Sequence, residues 1–215
     1  MTLSTYKQQW LSMVGWLFFL LLVILFTSGD ANAQQRLSKE AFAKLSAYEY
    51  LPLGNPNATI TVYEFASLTC SHCADFHNKT MPKIKKKYIT SGKIKWQMID
   101  FPLDNVAFGT AVLTRCIANK KRYHALLDLL FKNQTTWTNS KNPKKSIFDI
   151  MARAGVDSKT ATACLQNKKH LSAITATRKL GDTIGVRSTP SFFVMDSVVP
   201  NNEKALFKAI DKAIK

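Results

Sequence analysis

Cys70-Ser71-His72-Cys73 places two thiols three residues apart with an imidazole between them. A pair at this spacing can hold a metal, form a structural bridge or exchange its disulfide with the thiols of another protein. Which of these it does depends on the elements around it. Thr59-Ile60-Thr61-Val62-Tyr63-Glu64-Phe65-Ala66, just before the motif, is β-branched and aromatic, with the length of a buried strand. After the motif, Cys73, Phe76, Thr80, Ile84 and Tyr88 recur every three or four residues, the stripe of an amphipathic helix. The motif therefore sits where a strand ends and a helix begins. A thiol there faces unsatisfied backbone N–H groups and the positive end of the helix dipole, and both favour the thiolate, the nucleophile of disulfide exchange. Cys70 is expected to be that nucleophile. Cys73, one turn further in, is expected to be buried, less acidic and the thiol that resolves a mixed disulfide. His72 can stabilise the Cys70 thiolate by charge and hydrogen bonding, which favours the reduced pair and biases it toward handing its disulfide away. Zinc takes about four ligands; only His72 and His77 lie near, and no second Cys-x-x-Cys exists, so no metal is expected. A purely structural bridge is the remaining alternative.

The rest of the 215 residues must position this motif. At 46% hydrophobic and 20% charged the chain can bury a core, and four cysteines are too few for a disulfide-dense scaffold. Pro82 falls inside the helical stripe and is expected to kink it. A second strand follows over 93–101. From about Leu103 to Gly185 the periodicity is helical, with a polar loop expected from Trp137 to Lys145. Ser191-Phe192-Phe193-Val194-Met195 reads as a strand, Pro200-Asn201-Asn202 as a turn, and Leu206, Phe207, Ile210 and Ile214 mark a final helix. The order is strand, helix, strand, helical block, strand, helix.

The N-terminus reads as an address. Residues Trp10 to Phe26 carry no charge, Lys7 precedes them and Ala31-Asn32-Ala33 follows. A basic start, an apolar middle and a small-x-small exit form a secretory signal, with cleavage expected after Ala33 and delivery to the periplasm. The alternative is an uncleaved membrane anchor, since the run is nearly long enough to span a bilayer. In either case the bulk of the chain is exported, and in an oxidising compartment cysteines tend to be paired or catalytic.

Tyr63-Glu64-Phe65-Ala66-Ser67-Leu68-Thr69-Cys70-Ser71-His72-Cys73-Ala74-Asp75-Phe76 resembles the active-site segment of DsbA-like thiol:disulfide oxidoreductases, and Gly185-Val186-Arg187-Ser188-Thr189-Pro190-Ser191-Phe192-Phe193-Val194 resembles their cis-proline segment. The resemblance runs over about residues 45 to 212. It implies an α/β thioredoxin fold with an α-helical domain inserted between the second and third core strands. The corresponding division is 1–33 signal, 34–58 lead-in, 59–102 first part of the thioredoxin domain, 103–185 inserted helical domain and 186–215 second part. By resemblance Cys70 is the nucleophile, Cys73 the resolving thiol, and Ser71-His72 the tuning dipeptide, with Ser71 where the family usually has proline. Thr189 and Pro190 form the loop that meets the disulfide and pairs with substrate like an added strand. Glu64 matches a glutamate buried beneath the cysteines, a candidate proton relay whose alternative is an edge-strand residue; His77 stands where some members carry an acid.

Some relatives carry a further bridge in the helical domain, which with the export signal points to a Cys116–Cys164 disulfide; the alternative is two buried, unpaired thiols. Closing that loop would restrict the unfolded chain by about 4 kcal/mol in the chain-entropy account. The net charge of +16 spreads over Lys83, Lys85, Lys86 and Lys87, over Lys120, Lys121 and Arg122, and over Lys141, Lys144 and Lys145. Scattered clusters without interleaved aromatics read as solvated helix faces rather than a nucleic-acid stripe, with attraction to an anionic membrane or acidic client chains as the residual reading. The expected activity is a dithiol oxidase that introduces disulfides into exported proteins, without a cofactor, as a monomer. Its expected partners are reduced folding proteins and, as the resemblance implies, a DsbB-like membrane oxidase that recharges it. The alternatives are an isomerase or reductase of the same fold, or an envelope binding protein that keeps the fold without turnover.

Overall fold

The computed structural model describes residues 35–215; the export segment read over 1–33 lies outside the described residues. A lead-in helix, α1 (Lys39–Ser46), starts at the Ser38 cap and buries Leu45. The sheet that follows is built around β2 (Ile60–Ala66), in which every residue after Ile60 is buried. A strand covered on both faces reads as a nearly continuous apolar run, and its parallel neighbour has to be reached by a crossover. That neighbour is β3 (Ile94–Asp100), with Val62 opposite Trp96 and Glu64 opposite Met98. On its other side β2 pairs antiparallel with β4 (Ser191–Val194), which pairs with β5 (Ser197–Val199). A short β1 (Leu53–Gly54) adds to the outer edge of β3, so the order is β1-β3-β2-β4-β5. Neither β1 nor β5 stands out in the sequence: they are two and three residues long.

The crossover runs from Ser71 to Ile89. It begins as α2 (Ser71–Asp75), widens into a π-helical turn over Phe76–Thr80, resumes as α3 (Met81–Ile84) and widens again over Lys85–Ile89. Pro82 lacks the N–H that would bond back four residues. The wide turn before it absorbs that loss, so the proline comes with a change of helical pitch. Met81, Ile84 and Tyr88 pack on one face of the sheet with Val62, Trp96 and Phe192, and the last helix, α10 (Glu203–Ala213), covers the same face through Leu206 and Ile210.

Between β3 and β4 the chain forms the helical insertion: α4 (Asn105–Thr114), α5 (Lys120–Lys132), α6 (Gln134–Thr138), α7 (Pro143–Arg153), α8 (Ser158–Leu165) and α9 (Lys168–Thr183). This is the thioredoxin arrangement with an inserted helical domain. Asp104, Asn119, Asn142, Asp157 and Asn167 each cap a helix start with a side-chain oxygen, which explains why the insertion divides where it does. The polar loop expected from Trp137 to Lys145 is shorter in the structure. Trp137 is buried within α6, and Asn142 followed by Pro143 starts α7, because a capping side chain before proline is a helix-starting signal despite the polar composition. Cys116 and Cys164 are joined as a disulfide with Cα atoms 6.0 Å apart, tying the end of α4 to α8.

The insertion is held to the second sheet face by α9. Gly181 lies against the rings of Phe101 and Phe65, and a Cβ at that position would come within 2.5 Å of Phe101. Phe101 is fully buried and its ring is covered by the Arg178 guanidinium at 4.1 Å, so it has nowhere to move. Glycine in a helix ordinarily weakens it, but here it permits the close approach. Gly181→Val is expected to destabilise the protein by about 1–3 kcal/mol through overpacking. Urea unfolding should show a lower midpoint at an unchanged slope.

Candidate active site

Cys70 is the residue before α2, with extended backbone, and its side chain is half-buried at the end of the strand–helix turn. Cys73 is one turn inside and has no solvent exposure. Both are free thiols in this structure. The Cys70 pKa is lowered from the ordinary 9.0 to about 5, chiefly because the Cys73 thiol donates to it. The Thr189 side chain and the backbone N–H groups of Cys73 and His72 add to the lowering, against partial burial. The Thr189 hydroxyl oxygen is buried without a hydrogen-bond partner. The protonated Cys70 thiol instead donates to the Thr189 carbonyl at 3.3 Å, a bond that exists only while the proton is present. Cys73 is pushed far upward, first by burial, then by its bond to Cys70 and by the negative charge of Glu64. The pair is thus strongly asymmetric: one accessible thiol loses its proton readily, and one buried thiol keeps it.

Thr189–Pro190 is a cis peptide bond, and its loop leads directly into β4 beside β2, which places it against Cys70. Ser71 and His72 are both exposed. The backbone N–H of His72 is one of the groups that lower Cys70. Glu64 has no exposure and lies on the central strand, not at a sheet edge. Its carboxylate accepts from Trp96 Nε1 at 3.1 Å and meets His77 Nε2 at 3.0 and 3.1 Å. His77 in turn stacks on Phe131 at 4.0 Å, and its Nδ1 is buried without a partner.

Several residues of this site do not stand out in the sequence. Gln134, at the start of α6, donates through Nε2 to the carbonyls of Leu68 and Cys70 at 2.8 and 2.9 Å, so the insertion grips the turn that carries the nucleophile. Thr69 donates to Asp104 at 2.6 Å, and Asp104 caps α4 through its other oxygen. Trp96 completes the Glu64 shell beside His77, the one member of that shell that stands out in the sequence. A buried acid always needs donors, but which residues supply them is a property of the tertiary packing. Cys116 and Cys164 lie away from this centre in the insertion. Among the described residues the one group with metal-ligand spacing is Cys116, Cys164 and His170, and its two sulfurs are committed to the disulfide.

A family model described as Thioredoxin matches residues 46–212. The chain belongs to the thioredoxin family, in its DsbA-like branch. The crystal structure of Wolbachia pipientis alpha-DsbA1 matches this DsbA-like chain with a TM-score of 0.70 at 28% identity, covering 80% of this chain and 95% of that one. A provisionally named protein-disulfide oxidoreductase of Rickettsia bellii is 31% identical over 164 residues, 75% of this chain and 63% of that protein. Disulfide bond formation protein D of Bacillus subtilis is 24% identical over 154 residues, 69% of each. The chain spans about three-fifths of the length of the Rickettsia relatives it matches.

Two outcomes follow from the site geometry. A depressed thiol pKa stabilises the reduced DsbA-like fold relative to the oxidised one. That stabilisation is complete above the ordinary value near 9.0 and is lost as pH falls through about 5. Iodoacetamide should therefore modify a single cysteine, Cys70, with a rate that rises through about pH 5, and the reduced-over-oxidised gain in thermal midpoint should shrink as pH falls from about 9 and be gone below about 5. His77→Phe should keep the stack on Phe131 but strip Glu64 of one of its two donors. Leaving a buried acceptor short is expected to cost about 1–3 kcal/mol, read as a lower denaturation midpoint.

Proposed function

We propose that this protein is an exported thiol:disulfide oxidoreductase that works as a dithiol oxidase. The observation that carries the proposal is the asymmetry between half-exposed Cys70, lowered to about 5, and fully buried Cys73, pushed upward. A couple whose reduced form is stabilised by an easily formed thiolate is oxidising. In the oxidised state a client thiolate attacks Cys70 Sγ, the Cys70–Cys73 bond breaks, and Cys73 leaves with the electron pair and takes up a proton. The client's second thiolate then attacks its own sulfur in the mixed disulfide, and Cys70 leaves as a stable thiolate. Two electrons pass from the client to the pair, and the client gains one disulfide. Glu64, held by His77 and Trp96 and close enough for its charge to act on Cys73, serves as the buried acid–base group for the proton that Cys73 takes up.

Thr189 and Pro190 serve as the docking backbone for an extended client segment, added edge-on as a strand. The N-terminal signal supports an exported setting, where the clients are reduced secreted or periplasmic proteins. Return to the oxidised state then needs an electron acceptor, for which a DsbB-like membrane oxidase is the partner proposed. Relatives named for disulfide bond formation support the same chemistry.

The test is a redox equilibrium with glutathione, followed by oxidation of a reduced, unfolded client protein in stoichiometric single turnover. The expected result is a couple more oxidising than the glutathione pool, with disulfides appearing in the client. A strongly reducing couple that leaves the client reduced would overturn the oxidase reading. Cys73→Ser is expected to accumulate mixed disulfides through Cys70, visible by mass spectrometry and absent in Cys70→Ser.

A further inference from the structure

Leu103 and Val106 are the exposed large hydrophobic residues of the described chain, at 50% and 41% exposure. They flank Asp104, the residue bonded to Thr69 just before Cys70. Scattered single apolar residues on a surface need no explanation, but these two continue into a concavity. Behind Val106 opens a groove of about 370 Å³ between α4 and the start of α7, with Leu113, Ile147, Phe148 and Leu165 among its lining. Leu113 and Ile147 are core residues of the insertion, so the floor is held rigidly. The only charged side chains on its lining are Lys141 and Lys144. Neither makes an ion pair among the described residues, and the Lys144 ammonium sits 5.5 Å from the Phe148 ring centroid, along the rim. The groove is apolar below, positive at the edge, and lined by no carboxylate.

We propose that this groove is a client-binding subsite that receives an apolar side chain, with a neighbouring carboxylate, from the same reduced chain whose cysteine is engaged at Cys70. This rests on the exchange reaction proposed above and adds a substrate preference to it. One hydrogen bond and the first turn of α4 separate the rim from Thr69, a path that about five residues of extended chain would cover. The subsite lies on the insertion, whereas the Thr189–Pro190 loop leads into β4 of the sheet. An engaged client would thereby be contacted by two separate elements: backbone pairing at the loop, which is indifferent to sequence, and side-chain burial in the groove, which is not. The occupant's charge follows from the two lysines, since a basic flank would be repelled and an acidic one attracted.

The probes are reduced dicysteine peptides carrying Phe-Glu, Phe-Lys or Ser-Lys about five residues from the first cysteine, placed before it in one set and after it in another. They reduce the oxidised full-length protein, and tryptophan fluorescence gives the half-saturating concentration. In one of the two placements the wild type is expected to bind Phe-Glu about tenfold more tightly than Ser-Lys, the scale of burying one apolar side chain. Val106→Asp should bring that ratio close to one, and it suits an exposed first helical turn, where an acid is favoured. The double variant Lys141→Glu/Lys144→Glu should reverse the order of Phe-Glu and Phe-Lys, a swap that simple loss of folding cannot produce. A wild-type ratio near one in both placements, or a ratio that survives both variants, would overturn the subsite. So would a wild-type dimer that Val106→Asp dissociates while peptide preference is unchanged, which would give the groove to a second copy. Failure of the oxidised wild type to react with dithiothreitol is a separate result, and it would count against the exchange reaction itself.

Discussion

A carboxyl side chain with no solvent exposure in the central strand of a sheet must be given hydrogen-bond donors, and much of the architecture around the cysteines answers that requirement. Glu64 sits on the face of β2 covered by the crossover helix. Its donors come from the neighbouring strand, through Trp96, and from the crossover itself, through His77. His77 belongs to the π-helical turn that follows α2, four residues after Cys73. The widened turn, the buried imidazole, its stack on Phe131 and the Glu64 carboxylate therefore form one connected unit. Its chemical effect falls on Cys73: a negative charge nearby and no solvent both keep that thiol protonated. Cys70, half-buried at the surface end, gains from the proton that Cys73 keeps, because a protonated Cys73 can donate to it.

The insertion contributes in the same way, by fixing geometry from outside the thioredoxin strands. Gln134 holds the carbonyls of Leu68 and Cys70, and Asp104 holds Thr69 while capping α4. At the C-terminal end of β3, buried Asp100 pairs with Arg115 at 2.7 Å, and the guanidinium also donates to the Tyr48 hydroxyl at 2.9 Å and stacks on the Tyr50 ring. That cluster joins the lead-in segment, the sheet and the end of α4. Truncating one member would leave a buried charge without its partner, which is why such pairs are kept even when their net contribution is small. Arg115 precedes Cys116, so the disulfide to Cys164 reinforces the same corner.

What could be read from the residues alone follows the range of the interactions involved. The strand before Cys70, the helix start after it and the order of elements rest on local patterns of branching, periodicity and capping, and these appear in the structure where the patterns place them. Cys70 and Cys73 are equally legible, because their spacing and their position at a strand–helix junction are local facts. Gln134, Trp96 and Asp104 are not, since each reaches the site from a different element and none is marked by its neighbours in sequence. His77 is intermediate. A residue four after Cys73 should share its helix face, but the π-helical widening that turns it under Glu64 depends on Pro82 and on sheet packing. The short strands β1 and β5 and the polar helix α6 lie below the length or apolarity at which periodicity speaks, and they exist because a neighbouring edge or core accepts them.

The net charge of +16 becomes informative only once its partners are seen. The densest lysine run lies on the crossover, where Lys83 binds Glu203, Lys85 binds Asp128 and Lys87 binds Asp211. Each of these pairs links the crossover to another helix, α10 or α5, so that the cluster is spent on short contacts between elements. A nucleic-acid surface would need those charges unpaired and aligned along one groove. Exposed pairs contribute little stability individually, but they remove these lysines from any long-range recognition. Lys145 is likewise paired, with Asp149. Lys141 and Lys144, close together in the chain on the rim of an apolar groove, keep their charge for whatever approaches. Positive charge on this molecule is therefore uneven in its availability, and part of what remains available lies on the same side of the insertion as Asp104, the residue that braces the turn bearing Cys70.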